Sequence, residues 1–202
     1  MIFSKDKKYF NKKAGFSLPE LLVSISIISL ITTILLFRYD SFNSTALLNN
    51  QSYELALDIR QAQVAGVSVR GGAGDSPFDE EFGVYLDMTT PGQYIYFRDN
   101  GDTMPAQYDA GEEVEVSILD ARFSIVNICA NDSTADCAAG TILSNVSISF
   151  ARPNFDARFK GFNTSGNNVS DIQSVTIVLQ PNNNSEIERL VNVSASGQIS
   201  VE

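Results

Sequence analysis

The sequence of 202 residues contains no histidine and no tryptophan. Histidine is the side chain that most often acts as a general base near neutral pH and as a ligand of catalytic metals. Its absence removes most hydrolase and metalloenzyme templates, so an enzyme ranks last among the functions considered. The length, with 44% hydrophobic residues, predicts one head domain with its own core.

Lysine is scarce beyond the first fifteen residues, where Lys160 is the only one. The first fifteen residues carry five lysines against one aspartate, a net charge of +4, which leaves −14 on the rest of the chain. Nucleic-acid binding needs clustered cations to neutralise phosphates, and no such cluster follows Lys13. We therefore do not expect nucleic acid as a partner.

Cysteine is limited to Cys129 and Cys137, which enclose a polar loop. No residues suited to zinc binding accompany them, and they do not form the Cys-X-X-Cys pattern of a redox-active pair. In an exported domain this spacing favours a loop-closing disulfide. Two unrelated free thiols are the alternative.

The longest apolar run covers residues 16–37 and contains a single charge, Glu20. Its length of about 22 residues is enough to span a bilayer, and Pro19 falls in the first turn, where its missing N–H costs nothing. The lysines before the run predict a cytoplasmic leader and an extracytoplasmic head. A cleaved secretory signal is less consistent, because the small residue Gly15 precedes the apolar run instead of following it. We expect a single-pass protein of the inner, cytoplasmic membrane, with lipid around residues 16–37.

Helical periodicity continues through residues 38–70. Polar residues lie between the members of one apolar stripe. This pattern predicts an amphipathic extension of the membrane helix, and a glycine-rich segment predicts where it ends. The stripe comprises Leu48, Leu55, Ile59, Ala62, Gly66 and Val69, and the terminating glycines are Gly71, Gly72 and Gly74.

Residues 71–202 change to short runs of β-branched and aromatic residues separated by turn-forming segments. We predict seven to nine strands. The fold class is α+β, with the long N-terminal helix packed on an antiparallel β-sheet or β-sandwich head. The runs are FGVYLD, QYIYFR, EVEVSIL, ARFSIVNIC, SNVSISF, DARFKGF, IQSVTIVLQ, RLVNVS and QISVE.

An oxygen-rich segment follows the second of these runs and suggests calcium ligands. The candidates are Asp99, Asp102, Asp109 and Glu112. The ligand order of an EF-hand is not met, and a solvated acidic turn is the alternative. No other cofactor is expected.

Two further groups of side chains have ordinary structural explanations. A set of aromatics could form a stacking platform, but it lacks interleaved cations and fits the core of a β head better. A set of carboxylates could suggest a glycosidase, but nothing in the sequence places two of them across a cleft, and solvated faces explain them. The aromatics are Phe78, Phe82, Tyr85, Tyr94, Tyr96 and Phe97, and the carboxylates are Asp79, Glu80, Glu81, Glu112, Glu113 and Glu115.

The segment KKAGFSLPELLVSISIISL resembles the processing motif of type IV prepilins, with basic residues, glycine, phenylalanine, glutamate and then an apolar helix. The resemblance implies that residues 1–15 are a leader, which a prepilin peptidase removes by cutting between Gly15 and Phe16. It also implies that Phe16 becomes an N-methylated N-terminus, with Glu20 as the fifth mature residue.

Glu20 has a physical reason to act in assembly. A carboxylate near the start of an apolar span is costly unless it is paired, and cleavage would create a cation on Phe16 of a neighbouring subunit. Pairing of the two would favour docking in one register. A boundary residue that reaches back to water is the alternative.

The resemblance implies a minor pilin or pseudopilin of a type IV pilus, competence or type II secretion filament. Its implied partners are the prepilin peptidase, other pilins or pseudopilins, and the inner-membrane assembly platform. The helix extension and the ending RLVNVSASGQISVE, with Gly197 at its turn, look like those of H-type minor pseudopilins. A membrane-anchored binding module for a glycan, exported cargo or DNA is the alternative function, and a groove of exposed aromatics would favour it.

Overall fold

The computed structural model describes residues 15–68, 80–99, 106–183 and 186–202, with the side chains of 36–43 left out. The chain divides into two units, Met1–Asn43 and Ser44–Glu202, each of which is described by itself. Several predicted features lie outside the described residues. These are the leader before Gly15, Val69, Gly71, Gly72, Gly74, Phe78, Asp79 and Asp102.

One helix, α1 (Leu18–Val67), begins two residues after Phe16 and ends before the glycine-rich segment. It contains both the apolar run and the amphipathic stretch of the sequence. The predicted boundaries at residues 37 and 70 stay predictions, since α1 is assigned as a single element.

The part of α1 in the second unit buries the predicted stripe. Leu48, Leu55, Ile59 and Ala62 have no exposed surface, and Ala65 joins them in the main core. The periodic spacing therefore identified the face of the helix that packs on the sheet.

Ten strands follow in the described residues, and they form one curled antiparallel sheet. Nine of them correspond to the nine runs seen in the sequence. Only the two-residue strand β7 was missed, because it falls in a segment that reads as a turn. The strands are β1 (Glu81–Asp87), β2 (Gln93–Asp99), β3 (Glu113–Ile118), β4 (Phe123–Ala130), β5 (Thr141–Phe150), β6 (Ala157–Asn163), β7 (Asn168–Val169), β8 (Ser174–Pro181), β9 (Arg189–Ser194) and β10 (Ile199–Val201).

The strand order is β10-β9-β8-β4-β5-β1-β2-β3, with β6 on β5 and β7 on β6. Alternate residues of the sheet face α1 and close the core. They include Val84, Val146, Ile148, Ile177 and Val191, none of which has exposed surface. The predicted α+β class with a helix packed on an antiparallel sheet is confirmed.

Close backbone contact fixes α1 against the sheet at Gly66. A Cβ at this position would lie 2.2 Å from the carbonyl oxygen of Phe150, so only glycine fits. Three residues earlier, the buried side chain of Gln63 donates from Nε2 to the carbonyl oxygens of Phe155 and Gly197, each at 2.9 Å. Gly197 has φ of 77° and forms the turn between β9 and β10, as the sequence predicted.

Candidate processing and assembly site

The residues of the predicted processing site precede the first turn of α1. Gly15, Phe16 and Ser17 have no regular secondary structure, and the first helical hydrogen bond runs from Leu21 N to Ser17 O at 3.1 Å. Phe16 is 76% exposed. A Cβ added at Gly15 would contact nothing within 4 Å, so the described fold places no steric demand for glycine there.

Glu20 lies in the first turn of α1 and is exposed. Its charge is favoured by the partial positive charge of the helix N-terminus, which is worth about 0.3–1 kcal/mol. The ion pairs among the described residues do not include Glu20. Within that part of the chain, the carboxylate is thus supported by the helix end alone.

The apolar run around Glu20 has an exposed surface as far as residue 35. The segment Leu18–Leu35 has a mean hydropathy of 2.0 and no buried residue, and among the described residues it is the one helix long and apolar enough to cross a membrane. Its exposed large apolar side chains are Leu18, Leu21, Leu22, Val23, Ile25, Ile27, Ile28, Leu30, Ile31, Ile34 and Leu35. Such a surface is costly in water, so it favours lipid or other apolar helices as its surroundings.

Hydroxyl groups within this segment do not interrupt the helix. Ser24, Ser26, Thr32 and Thr33 each donate to the carbonyl oxygen four residues earlier, at 2.7 to 2.8 Å. Such bonds satisfy the hydroxyls without any outside partner. The polar residues are therefore compatible with an apolar environment.

The two cysteines lie at disulfide distance in the head. The Cα atoms of Cys129 and Cys137 are 5.2 Å apart, and both residues are buried. Cys129 is the second-to-last residue of β4, and Val178 of β8 packs against the pair. The arrangement suits a loop-closing disulfide.

Asp132 organises the loop between these cysteines, and sequence reasoning missed it. Its Oδ1 accepts hydrogen bonds from the hydroxyl and N–H of Thr134, and its Oδ2 from the N–H groups of Ala139 and Gly140. These bonds, led by that of the Thr134 hydroxyl, hold the pKa of the Asp132 carboxyl below its ordinary value. The only available signal was an aspartate two residues before a threonine in a polar loop, which also fits any Asx turn.

The calcium candidates are partly described. Oδ2 of Asp99 accepts from the N–H of Ala106, and Oε2 of Glu112 accepts from the N–H of Asp109. The described residues contain no group of three or more His, Cys, Asp or Glu arranged to hold a metal ion, and Asp102 lies outside them. Calcium binding stays an untested expectation from the sequence.

The described members of the aromatic set, residues 82–97, are a packing feature, as expected. Phe82, Tyr94, Tyr96 and Phe97 are buried, and Tyr85 stacks on Tyr108 with ring centroids 4.7 Å apart. A half-buried stack of this kind stabilises a sheet face.

The expectation of solvated carboxylates was wrong for Glu81 and Glu112, and the side chain of Glu80 is only 11% exposed. Glu81 is buried because its carboxylate accepts from the hydroxyl of Ser149 and pairs with Arg158. Glu112 is buried, and its carboxylate accepts a hydrogen bond from the N–H of Asp109. Glu115 is exposed, as predicted.

A shallow cleft of about 500 Å³ lies over the disulfide loop. Its lining is polar and includes no aromatic side chain. The lining residues are Asn127, Thr134, Ala135, Asp136, Gln180 and Glu188. A glycan-binding groove would be expected to expose aromatic side chains, and this cleft has none in its lining.

Comparison with known proteins bears on the N-terminal region. The family model for the prokaryotic N-terminal methylation motif matches residues 10–36. Comparisons with curated proteins and with solved structures found no match. The matched range includes Gly15, Phe16, Glu20 and most of the apolar segment. This motif, followed by a helix that fits a single-pass membrane anchor and by a β-rich head, supports a type IV prepilin-like protein, a structural class whose members are processed by a prepilin peptidase and assemble with other pilins.

Proposed function

We propose that this chain is a minor pilin or pseudopilin, a subunit of a type IV pilus, competence or type II secretion filament, and that it is of the H-type minor pseudopilin kind. A prepilin peptidase cuts between Gly15 and Phe16 and methylates Phe16. The head lies outside the inner membrane, and the subunit enters the filament through α1 and the assembly platform. The observation that carries this proposal is the methylation motif at residues 10–36.

The geometry around the motif supports the processing step. Nothing in the described fold requires glycine at position 15, in contrast to Gly66, where a Cβ would meet backbone. A requirement imposed from outside the chain, such as the narrow site of a peptidase, explains Gly15. Gly15 and Phe16 lie before the first turn of α1, so the bond between them is not part of the helix.

The exposed apolar surface of residues 18–35 supports assembly through α1. A monomer in the bilayer satisfies this surface with lipid, whereas a filament satisfies it with neighbouring helices. Glu20 then favours the filament over the monomer in lipid, because a neighbour's N-terminal ammonium neutralises the carboxylate and lipid does not.

The processing step is tested with Gly15→Leu in a strain with active prepilin peptidase. We expect this variant to remain as unprocessed precursor in the membrane, because the larger side chain does not fit the peptidase site. Gly92→Ala is the matched control, since a Cβ at Gly92 also meets nothing within 4 Å. It should be processed like the wild type. Normal cleavage of Gly15→Leu would contradict recognition of this site by a prepilin peptidase.

A further inference from the structure

Strand β3 lies at one end of the strand order. Among the described strands it pairs only with β2, so its second edge faces away from the sheet. The exposed fractions of Val114, Val116 and Ile118 are 57%, 46% and 78%. An edge strand with exposed apolar residues is a template for another strand unless something covers it.

The register with β2 shows which backbone groups of β3 face outward. Leu119 donates from N to the carbonyl oxygen of Gly92. In an antiparallel pair, alternate residues direct both N–H and C=O toward the partner strand. Ser117 and Glu115 therefore bond to β2, whereas the N–H and C=O groups of Val116 and Ile118 point away from it.

One face of this edge is acidic. Ser117 Oγ lies 3.5 Å from Asp58 Oδ2 of α1, and Asp58 also accepts from the hydroxyl of Tyr94 at 2.6 Å. Glu115 shares the face of Ser117, since it is two residues away on the strand. Glu54 lies one helical turn before Asp58 on α1. None of the ion pairs in the described part of the chain neutralises these three carboxylates.

The other face of the same edge is apolar. Val116 and Ile118 point there, opposite Ile95 and Gln93 of β2. The edge thus combines outward backbone groups with carboxylates on one face and aliphatic side chains on the other. Two copies of this chain do not fit it, because self-pairing of β3 would bring Glu113 and Glu115 of both copies together, and like charges across strands are destabilising.

We propose that the β3 edge binds an extended segment of a partner protein in which lysine or arginine alternates with apolar residues. Such a segment adds a strand to the sheet. Its backbone bonds to Val116 and Ile118, its cations face Glu115, Asp58 and Glu54, and its apolar side chains cover the aliphatic face. This interface is separate from the contacts of residues 18–35 and does not depend on processing at Gly15.

The probe is a fluorescein-labelled peptide of nine residues that alternates lysine with valine or threonine. It is titrated into the full-length protein in a neutral detergent, so that anionic lipid does not compete, and binding is followed by fluorescence anisotropy. A second peptide has the same composition with its lysines in one block, and a third carries glutamate in place of lysine. We expect binding of the alternating peptide at least tenfold tighter than that of either control peptide.

Three variants and one measurement on the wild type locate the interaction. Val116→Pro removes an outward N–H without touching the bonds to β2, and proline is tolerated on edge strands. It should weaken binding at least tenfold, whereas Val116→Thr, which keeps the N–H, should weaken it less than threefold. Glu115→Lys should also weaken binding about tenfold by reversing one charge. In the wild type, the peptide should slow hydrogen exchange at the amides of Val116 and Ile118 but leave those of Glu115 and Ser117 nearly unchanged.

Equal binding of the alternating and block peptides would overturn the proposal, because it would show charge attraction without strand addition. Absence of slowed exchange at Val116 and Ile118 would overturn it as well, whatever the variants do. If no peptide binds, while Glu115→Lys makes the protein self-associate, the carboxylates only protect the edge and the proposal fails.

Discussion

Glu20 has two explanations, as a boundary residue or as an assembly residue, and they predict different free energies for its charge. Attraction to the helix N-terminus is worth about 0.3–1 kcal/mol. A buried pair with the N-terminal ammonium of a neighbour would cost about 3–5 kcal/mol to break. Removing the charge therefore separates a boundary residue from an assembly residue.

The variant Glu20→Gln should be cleaved normally and remain in the membrane. We expect its crosslinked complexes with other pilins to fall about a hundredfold or more, since about 1.4 kcal/mol corresponds to tenfold in a binding constant. The measurement is crosslinking in membranes, followed by immunoblotting of the pilin pairs.

Ser24→Ala is the control for the Glu20 experiment. It changes the next turn of α1 by removing a hydroxyl that bonds only to the carbonyl oxygen of Glu20, and it leaves the charge in place. Its complexes should form at the wild-type level. If those of Glu20→Gln do too, Glu20 is a boundary residue and the motif marks processing alone.

Asp132 gives a second prediction for a single residue. Asp132→Asn keeps the shape but turns an amide toward the N–H groups of Ala139 and Gly140, so donors face donors. We expect a lower Tm at neutral pH by several degrees, measured by circular dichroism on the full-length protein in detergent. An unchanged Tm would show that the bonds of Asp132 do not hold the loop.

The difference in Tm between the wild type and Asp132→Asn should depend on pH with a definite sign. Hydrogen bonds depress the pKa of Asp132 below the ordinary 3.8, so its stabilisation is present above that value and is lost as the pH falls through the lower, folded-state pKa. The Tm gap between the wild type and Asp132→Asn should thus narrow in acid. A gap that is constant down to the lowest pH at which both fold would assign the effect to packing.

Among the elements, the loop between β4 and β5 depends on its cysteines. A disulfide between Cys129 and Cys137 closes a short loop and contributes about 2 to 3 kcal/mol in the chain-entropy model. We expect no free thiol when protein from an exporting cell is denatured without reductant and treated with a thiol reagent. The double variant Cys129→Ser with Cys137→Ser should lower Tm, whereas Ser133→Ala in the same loop should not. Full thiol labelling of the wild type would contradict the bond.

The elements differ in how far the sequence predicts them, for physical reasons. The strands were readable because their alternation follows from one buried face, and the α1 stripe because it packs on that face. The exposed strand β3 was readable too, yet its place at the edge was not, because pairing partners are set by the whole sheet. Burial of Glu81 could not be foreseen, since its partner Arg158 lies 77 positions away in the sequence.

The candidate processing site is visible in the sequence alone, unlike several contacts within the head. Gly15 and Phe16 are adjacent and Glu20 follows four residues later, so the motif is a linear segment that can be recognised without any tertiary contact. Gln63 donates to carbonyl groups of Phe155 and Gly197, which only folding brings near it. Asp132 bonds to groups within its own loop, but a short polar side chain in a loop carries no distinctive sequence signal.

For the whole molecule, the distribution of charge and hydrophobicity follows one plan. A basic leader precedes an apolar segment, and the remainder carries a charge of −14. From this asymmetry we expect the leader in the cytoplasm and the head outside. On that expectation the Gly15 junction lies at the cytoplasmic boundary of the membrane, within reach of a membrane-embedded peptidase.

The most direct measurement is the mass of the N-terminal peptide of the protein purified from membranes of cells with an active prepilin peptidase. We expect a chain that begins at Phe16 and carries the added mass of one methyl group. The same protein from cells without the peptidase should begin at Met1 and provides the control. An intact Met1 start in both strains, or a cut after residue 37 of the kind that a secretory signal peptidase makes, would contradict the account.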